Sequence, residues 1–178
     1  MTVPDARLPL LDIDDMPETA RDAYAAVAES RGGRMLNLFR AMANAPEAME
    51  TVAAVGGYLR YRGTLDDALR ELAILTVARE TGATYEWTQH WPIAEKAGIA
   101  PKVLEKVRSR ALEQEDTPHG RALLFVRLAC NNEAVSDTLL AAVRQDFGNG
   151  GLVELTMLAG YYGMLARFLR IMQVPNDA

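Results

Sequence analysis

Residues 65–98, LDDALRELAILTVARETGATYEWTQHWPIAEKAG, decide how this chain is read. Apolar side chains recur three and four residues apart on both sides of Gly82, the spacing of helices that bury one face. Thr64-Leu-Asp-Asp67 reads as a capping box with Asp in place of Glu, opening a helix to Glu80 that Thr81-Gly82 stops. A second helix runs from about Thr84 to Ala97 and closes at Gly98, and Pro92 is expected to kink or restart it. The short glycine turn makes the two helices antiparallel. Glu71 lies about 16 Å and His90 about 12 Å from Gly82 along their helices, at about 1.5 Å per residue. The two are therefore nearly level, within reach of a direct or water-mediated hydrogen bond.

This is the one place in the sequence where groups able to move protons gather. Glu71 shares a stripe with Ala68, Ile74, Leu75 and Ala78, where a carboxylate is costly unless it is paired or protonated. Glu86 and His90 are i, i+4 neighbours on a side that also carries Ala83, Trp87 and Ala94, whereas Tyr85 and Gln89 point elsewhere in a regular helix. Glu71, His90 and Glu86 against Trp87 have the parts for general acid/base catalysis, one carboxylate orienting the imidazole that carries the proton. The plainer alternative is that the three groups satisfy one another between packed helices. A metal is disfavoured, because no second His stands nearby and neither H-E-x-x-H nor repeated E-x-x-H is present. A Ser-His-Asp site has no Gly-x-Ser-x-Gly elbow, and no glycine cluster has phosphate-cradle spacing.

The rest of the chain reads as all-α. After an extended start at Arg7-Leu-Pro-Leu-Leu, helices are expected over Pro17–Glu29, Asn37–Ala43, Ala45–Leu59, Pro101–Leu112, Pro118–Asn131, Ser136–Phe147 and Leu152–Met172. Gly56-Gly57 and Gly148–Gly151 are taken as helix boundaries. The last helix is apolar on most sides and is expected at the centre or at a subunit contact. Met157, Met164 and Met172 read as core filler, and Tyr161-Tyr162-Gly163 as packing or a pocket wall. Leu69-Arg-Glu-Leu-Ala-Ile-Leu and Leu152-Val-Glu-Leu-Thr-Met-Leu share one pattern, either a duplicated helical unit or coincidence. His119 reads as an exposed first-turn residue.

With 178 residues, 49% of them hydrophobic, the chain suffices for one domain, with a core over about 35–175 and an N-terminal extension over 1–16. A net charge of −5 without a basic stripe argues against nucleic acid. No run approaches eighteen apolar residues, and Met1-Thr-Val-Pro-Asp has neither a basic nor an apolar leader region, so no membrane association and a cytoplasmic location are expected. Cys130 is the single cysteine and reads as a packing residue.

Arg70-Glu71-Leu-Ala-Ile-Leu, then Tyr85-Glu86-Trp87-x-x-His90 and Ala94-x-x-x-Gly98, resemble the carboxymuconolactone decarboxylase family, which includes the alkylhydroperoxidase D (AhpD) proteins. Asn37-Leu-Phe, Pro46 and Gly160-Tyr-Tyr extend the resemblance. It implies an AhpD-like helical bundle that assembles into homo-oligomers, trimers or hexamers, with the site in a helical hairpin near a subunit boundary. The peroxidase branch carries a Glu, a Cys-x-x-Cys and a His; here Glu71 and His90 match, but Ala83 and Glu86 stand at the thiol positions. The resemblance thus implies the decarboxylase-like branch, a lyase or isomerase of aromatic-compound catabolism that acts on a small lactone or carboxylic acid without a cofactor. In that branch His90 would donate the proton, Glu71 orient it, Glu86 serve as second relay or substrate contact, and Trp87 and Tyr85 line the substrate site. Arg40, Arg60 and Arg79 are candidates to hold an anionic substrate. The rivals are an atypical peroxidase dependent on Cys130 and a non-enzymatic helical binding or assembly protein.

Overall fold

The computed structural model describes residues 6–177, so the Met1–Asp5 stretch weighed above for a leader lies outside the described residues. Among the described residues the regular elements are all helical: α1 (Glu18–Glu29), α2 (Asn37–Met42), α3 (Pro46–Tyr61), α4 (Asp67–Thr81), α5 (Thr84–Lys96), α6 (Pro101–Arg108), α7 (Pro118–Cys130) and α8 (Asp137–Met172), with short 3-10 turns at Ile13–Asp15 and Leu112–Gln114. None of the helices in that span is long and apolar enough to cross a membrane. The chain forms two compact units, one reaching Tyr61 and taking in the segment from Phe168 onward, the other Arg62–Arg167.

In the first unit α1 buries Ala20, Tyr24 and Val27, four and three residues apart, and packs against α3. Pro17 is the N-cap of α1 rather than a first-turn residue. Gly56 and Gly57 lie inside α3 instead of bounding it. Gly56 shares the buried face of α3 with Met49, Ala53 and Leu59, so burial of that face holds the helix through a residue of poor helix propensity. Arg40 is held by Asp12 at 2.8 Å and by the carbonyl of Leu10, so this anion-site candidate is engaged within its own unit.

In the second unit α4 is the central element, buried continuously from Leu72 to Ala78 and packed on α5, α6 and α7. Its cap falls two residues later than the sequence suggests: Asp66, not Thr64, accepts from the Leu69 amide at 2.9 Å. Thr64 is taken by another partner, the buried carboxylate of Glu154, which accepts from the Thr64 and Leu65 amides at 2.8 and 3.1 Å. The two Leu-x-Glu-Leu segments thus both bury their Glu, at 1% exposure for Glu71 and 3% for Glu154. The expected Pro101–Leu112 helix stops at Arg108, because Arg110 adopts a left-handed φ of 64°. In α8 Gly148 breaks the helical path with φ 70° and ψ −177°, where a glycine carries no Cβ penalty. Met157 and Met164 are 39% and 41% exposed, a correction to their reading as core filler. With Val153 they fall within 40° on one side of α8, at 100° per residue, on the face turned away from Leu155, Leu158 and Leu165.

An ion network with buried carboxylates and partly exposed cations ties the end of α4 to the 108–114 turn and to α7. Glu80 accepts from Arg79, Arg110 and Asn131 at 2.8 to 2.9 Å. Glu113 is held by Arg79 and, at 3.0 Å, by Arg127. Burial by itself would raise the Glu80 carboxyl, but the Asn131 amide and the Arg79 and Arg110 guanidiniums outweigh it and hold the group below its ordinary 4.5. A carboxyl depressed on folding stabilises the protein above its unfolded value, and that contribution is lost as pH falls through the folded one. The urea midpoint is therefore expected to drop more steeply below about pH 4.5 in the wild type than in Glu80→Gln. Equal slopes for the two proteins would refute this.

Candidate active site

The turn after α4 sets the site. Gly82 is left-handed at φ 65°, and the Ala83 amide returns to the carbonyl of Ala78 at 2.8 Å, so the chain reverses within two residues. α5 then runs back along α4 and passes through Pro92 without restarting. The carbonyl that Pro92 leaves without its helical donor is that of Thr88, an exposed residue, so water can satisfy it.

This hairpin places His90 Nδ1 at 2.7 Å from Glu71 Oε2. His90 Nε2 faces Glu86 Oε2 at 3.5 Å. Glu71, Glu86 and His90 are 1%, 4% and 5% exposed, so the cluster is almost fully withdrawn from water. An ionised carboxylate can only accept, so in the arrangement where Glu71 is ionised the imidazole donates its Nδ1–H to it and turns Nε2 toward Glu86. The two ring nitrogens point to different carboxylates, so the three groups do not converge on one ion. Arg70 reaches Glu71 Oε1 at 3.4 Å and Asp67 at 2.9 Å. Spacing alone does not reveal this cation beside Glu71, since consecutive helix residues do not face one another.

The other named residues sit as follows. Tyr85 is buried at 4% exposure although helical spacing turned it away from the His90 side. Trp87 is half-buried and stacks on Trp91 with ring centroids 5.3 Å apart, while Arg108 lies over both rings at 5.5 and 4.8 Å. Arg79 is consumed by Glu80 and Glu113 and is unsuited to an incoming anion. Arg60 lies over the ring of Tyr61. From α8, Tyr162 meets the His90 imidazole edge to face at 5.4 Å, and Tyr161 meets Tyr162 in the same way at 5.2 Å. Ala83, at the first thiol position, offers a methyl group. Burial, and after it the Glu80 charge, pushes the Cys130 thiol up, away from the thiolate that peroxide chemistry needs.

Fold and site together define an all-helical AhpD-like protein with a buried Glu-His-Glu cluster in its α4–α5 hairpin. Residues 46–126, which include all three of these groups, match the model of the carboxymuconolactone decarboxylase family. Among solved structures, the chain is similar to a peroxidase-related protein of Ralstonia eutropha JMP134 with an alkylhydroperoxidase AhpD core (19% identity, TM-score 0.82, covering 98% of this chain and 93% of that one). It is also similar to a peroxidase-related protein of Silicibacter sp. TM1040 (17%, TM-score 0.80, 99% and 92%) and to the debrominase Bmp8 (12%, TM-score 0.78, 99% and 95%). At these identities the likeness concerns the fold alone. No curated protein matched the sequence.

Proposed function

We propose that this protein is a cofactor-independent lyase or isomerase that moves a proton on a small lactone or carboxylic acid, working as a cytoplasmic homo-oligomer. The observation that carries the reading is the Glu71-His90-Glu86 line of contacts. On a γ-carboxylactone, the bond to the carboxyl carbon breaks and carbon dioxide leaves. The electron pair passes into the unsaturated lactone, and carbon takes one proton from Nε2 of His90, whose ring enters the step protonated on both nitrogens and leaves it neutral with Nδ1–H still on Glu71. Glu71 keeps Nδ1–H in place during the transfer, and Glu86 is placed to reload Nε2. A dry cluster favours the step, since loss of water from a carboxylate destabilises it relative to the neutral product. The exposed Val153, Met157 and Met164 on one face of α8 support self-association through that helix.

The test is the ultraviolet absorbance of γ-carboxymuconolactone mixed with the purified protein. Turnover supports decarboxylation, while absence of any change with this substrate and with its decarboxylated lactone product would favour binding alone. The redox rival makes its own demand: hydroperoxide turnover must exist and must vanish in Cys130→Ser. Neither protein is expected to consume hydroperoxide above background, in keeping with the raised thiol.

A further inference from the structure

We infer that Tyr162 is a positioning residue that fixes the plane of the His90 imidazole, and that without its ring the Glu71 contact no longer holds one orientation. The inference deepens the proposed proton-transfer reading and rests on it for its catalytic consequence. His90 has Glu71 at Nδ1 and Glu86 at Nε2, and these decide which edge of the ring faces which carboxylate. They do not by themselves stop the ring from rocking about its Cβ–Cγ bond, a torsion with a broad energy well. The Tyr162 ring stands at 90° to the imidazole, 5.4 Å between centroids, and closes that freedom from a third helix. Tyr162 is itself 3% exposed and is braced by Tyr161 at 85°. The ring therefore has a wall that is itself packed. The charged and titratable groups around the pair are Glu71 with Arg70 from α4, Glu86 from α5, and Tyr161 and Tyr162 from α8.

The role is assigned to the aromatic ring, so Tyr162→Phe should preserve it and Tyr162→Leu should remove it. The readout is the His90 Nδ1–H proton in the side-chain proton–nitrogen NMR spectrum of the substrate-free protein. It is a signal that survives only while the proton is shielded from water by Glu71. Assignment is simple, because the chain has two histidines and His119 is 41% exposed. The wild type and Tyr162→Phe are expected to show the signal, and Tyr162→Leu to lose it while keeping its helical circular dichroism. In parallel, kcat of the Leu variant should fall by about 10- to 100-fold with KM little changed, as for a misplaced catalytic group. A signal that persists in folded Tyr162→Leu, or is lost in folded Tyr162→Phe, overturns the inference. Should the Leu variant not fold, Tyr162→Met takes its place with the same expected loss, and loss of the signal in folded Tyr162→Phe still overturns the inference. The spectrum needs no substrate, so a wild type inert toward γ-carboxymuconolactone would strike the proposed function and leave the ring assignment standing.

Discussion

Replacing His90 by Ala should lower turnover by about 100-fold or more, the usual loss on deleting a general acid, and should destabilise the protein as well. The second effect follows from burial. Glu71, at 1% exposure, would lose the donor that lies 2.7 Å away, at a cost of about 1–3 kcal/mol for a buried acceptor left unsatisfied. A fall in stability alone therefore cannot separate a catalytic imidazole from a structural one. His90→Gln can, because its amide N–H is able to return a hydrogen bond to Glu71 but cannot carry a proton through the ring. The expected pattern is a denaturation midpoint largely restored in Gln relative to Ala, with turnover low in both. A Gln variant that turns over at the wild-type rate would remove His90 from the chemistry and leave the cluster as packing.

The hairpin was legible in the sequence because its information is local. A 3.6-residue period and a glycine stop at Gly82 are both contained within residues 65–98, and the arithmetic of rise per residue is enough to bring Glu71 level with His90. What escaped depends on distant segments. Asp66 rather than Thr64 caps α4 because Thr64 is claimed by Glu154, ninety residues away. Helix α6 ends at Arg108 because the next turn is drawn into the ion network, Arg110 bonding Glu80 from thirty residues off. Tyr162 was legible as a pocket or packing residue, yet its position against His90 depends on how α8 packs, which no spacing within α8 reveals. Gly56 and Gly148 show the same limit. Glycine marks permissive backbone, and only the surroundings decide whether it stays inside a helix, as at Gly56, or breaks the path, as at Gly148.

Arg79→Leu should be the most destabilising single change in this part of the molecule, about 3–5 kcal/mol, the cost of breaking a buried pair from one side. Its side chain is 11% exposed and its two carboxylate partners, Glu80 and Glu113, are 3% and 5% exposed. The substitution strips both at once. Glu80 retains Arg110 and Asn131, so it is cushioned, whereas Glu113 is left with Arg127 alone. The larger share of the loss should therefore arise at Glu113, and the double variant Arg79→Leu/Glu113→Leu should recover much of it, since two apolar groups replacing an ion pair leave one less charge stranded. Urea denaturation of the three proteins measures this directly. Additive losses in the double variant would mean that the network is better hydrated than its exposure implies. Recovery would place the stability of the α4 end in the geometry of the pair, separate from the contact that Glu71, eight residues earlier on the same helix, makes with His90.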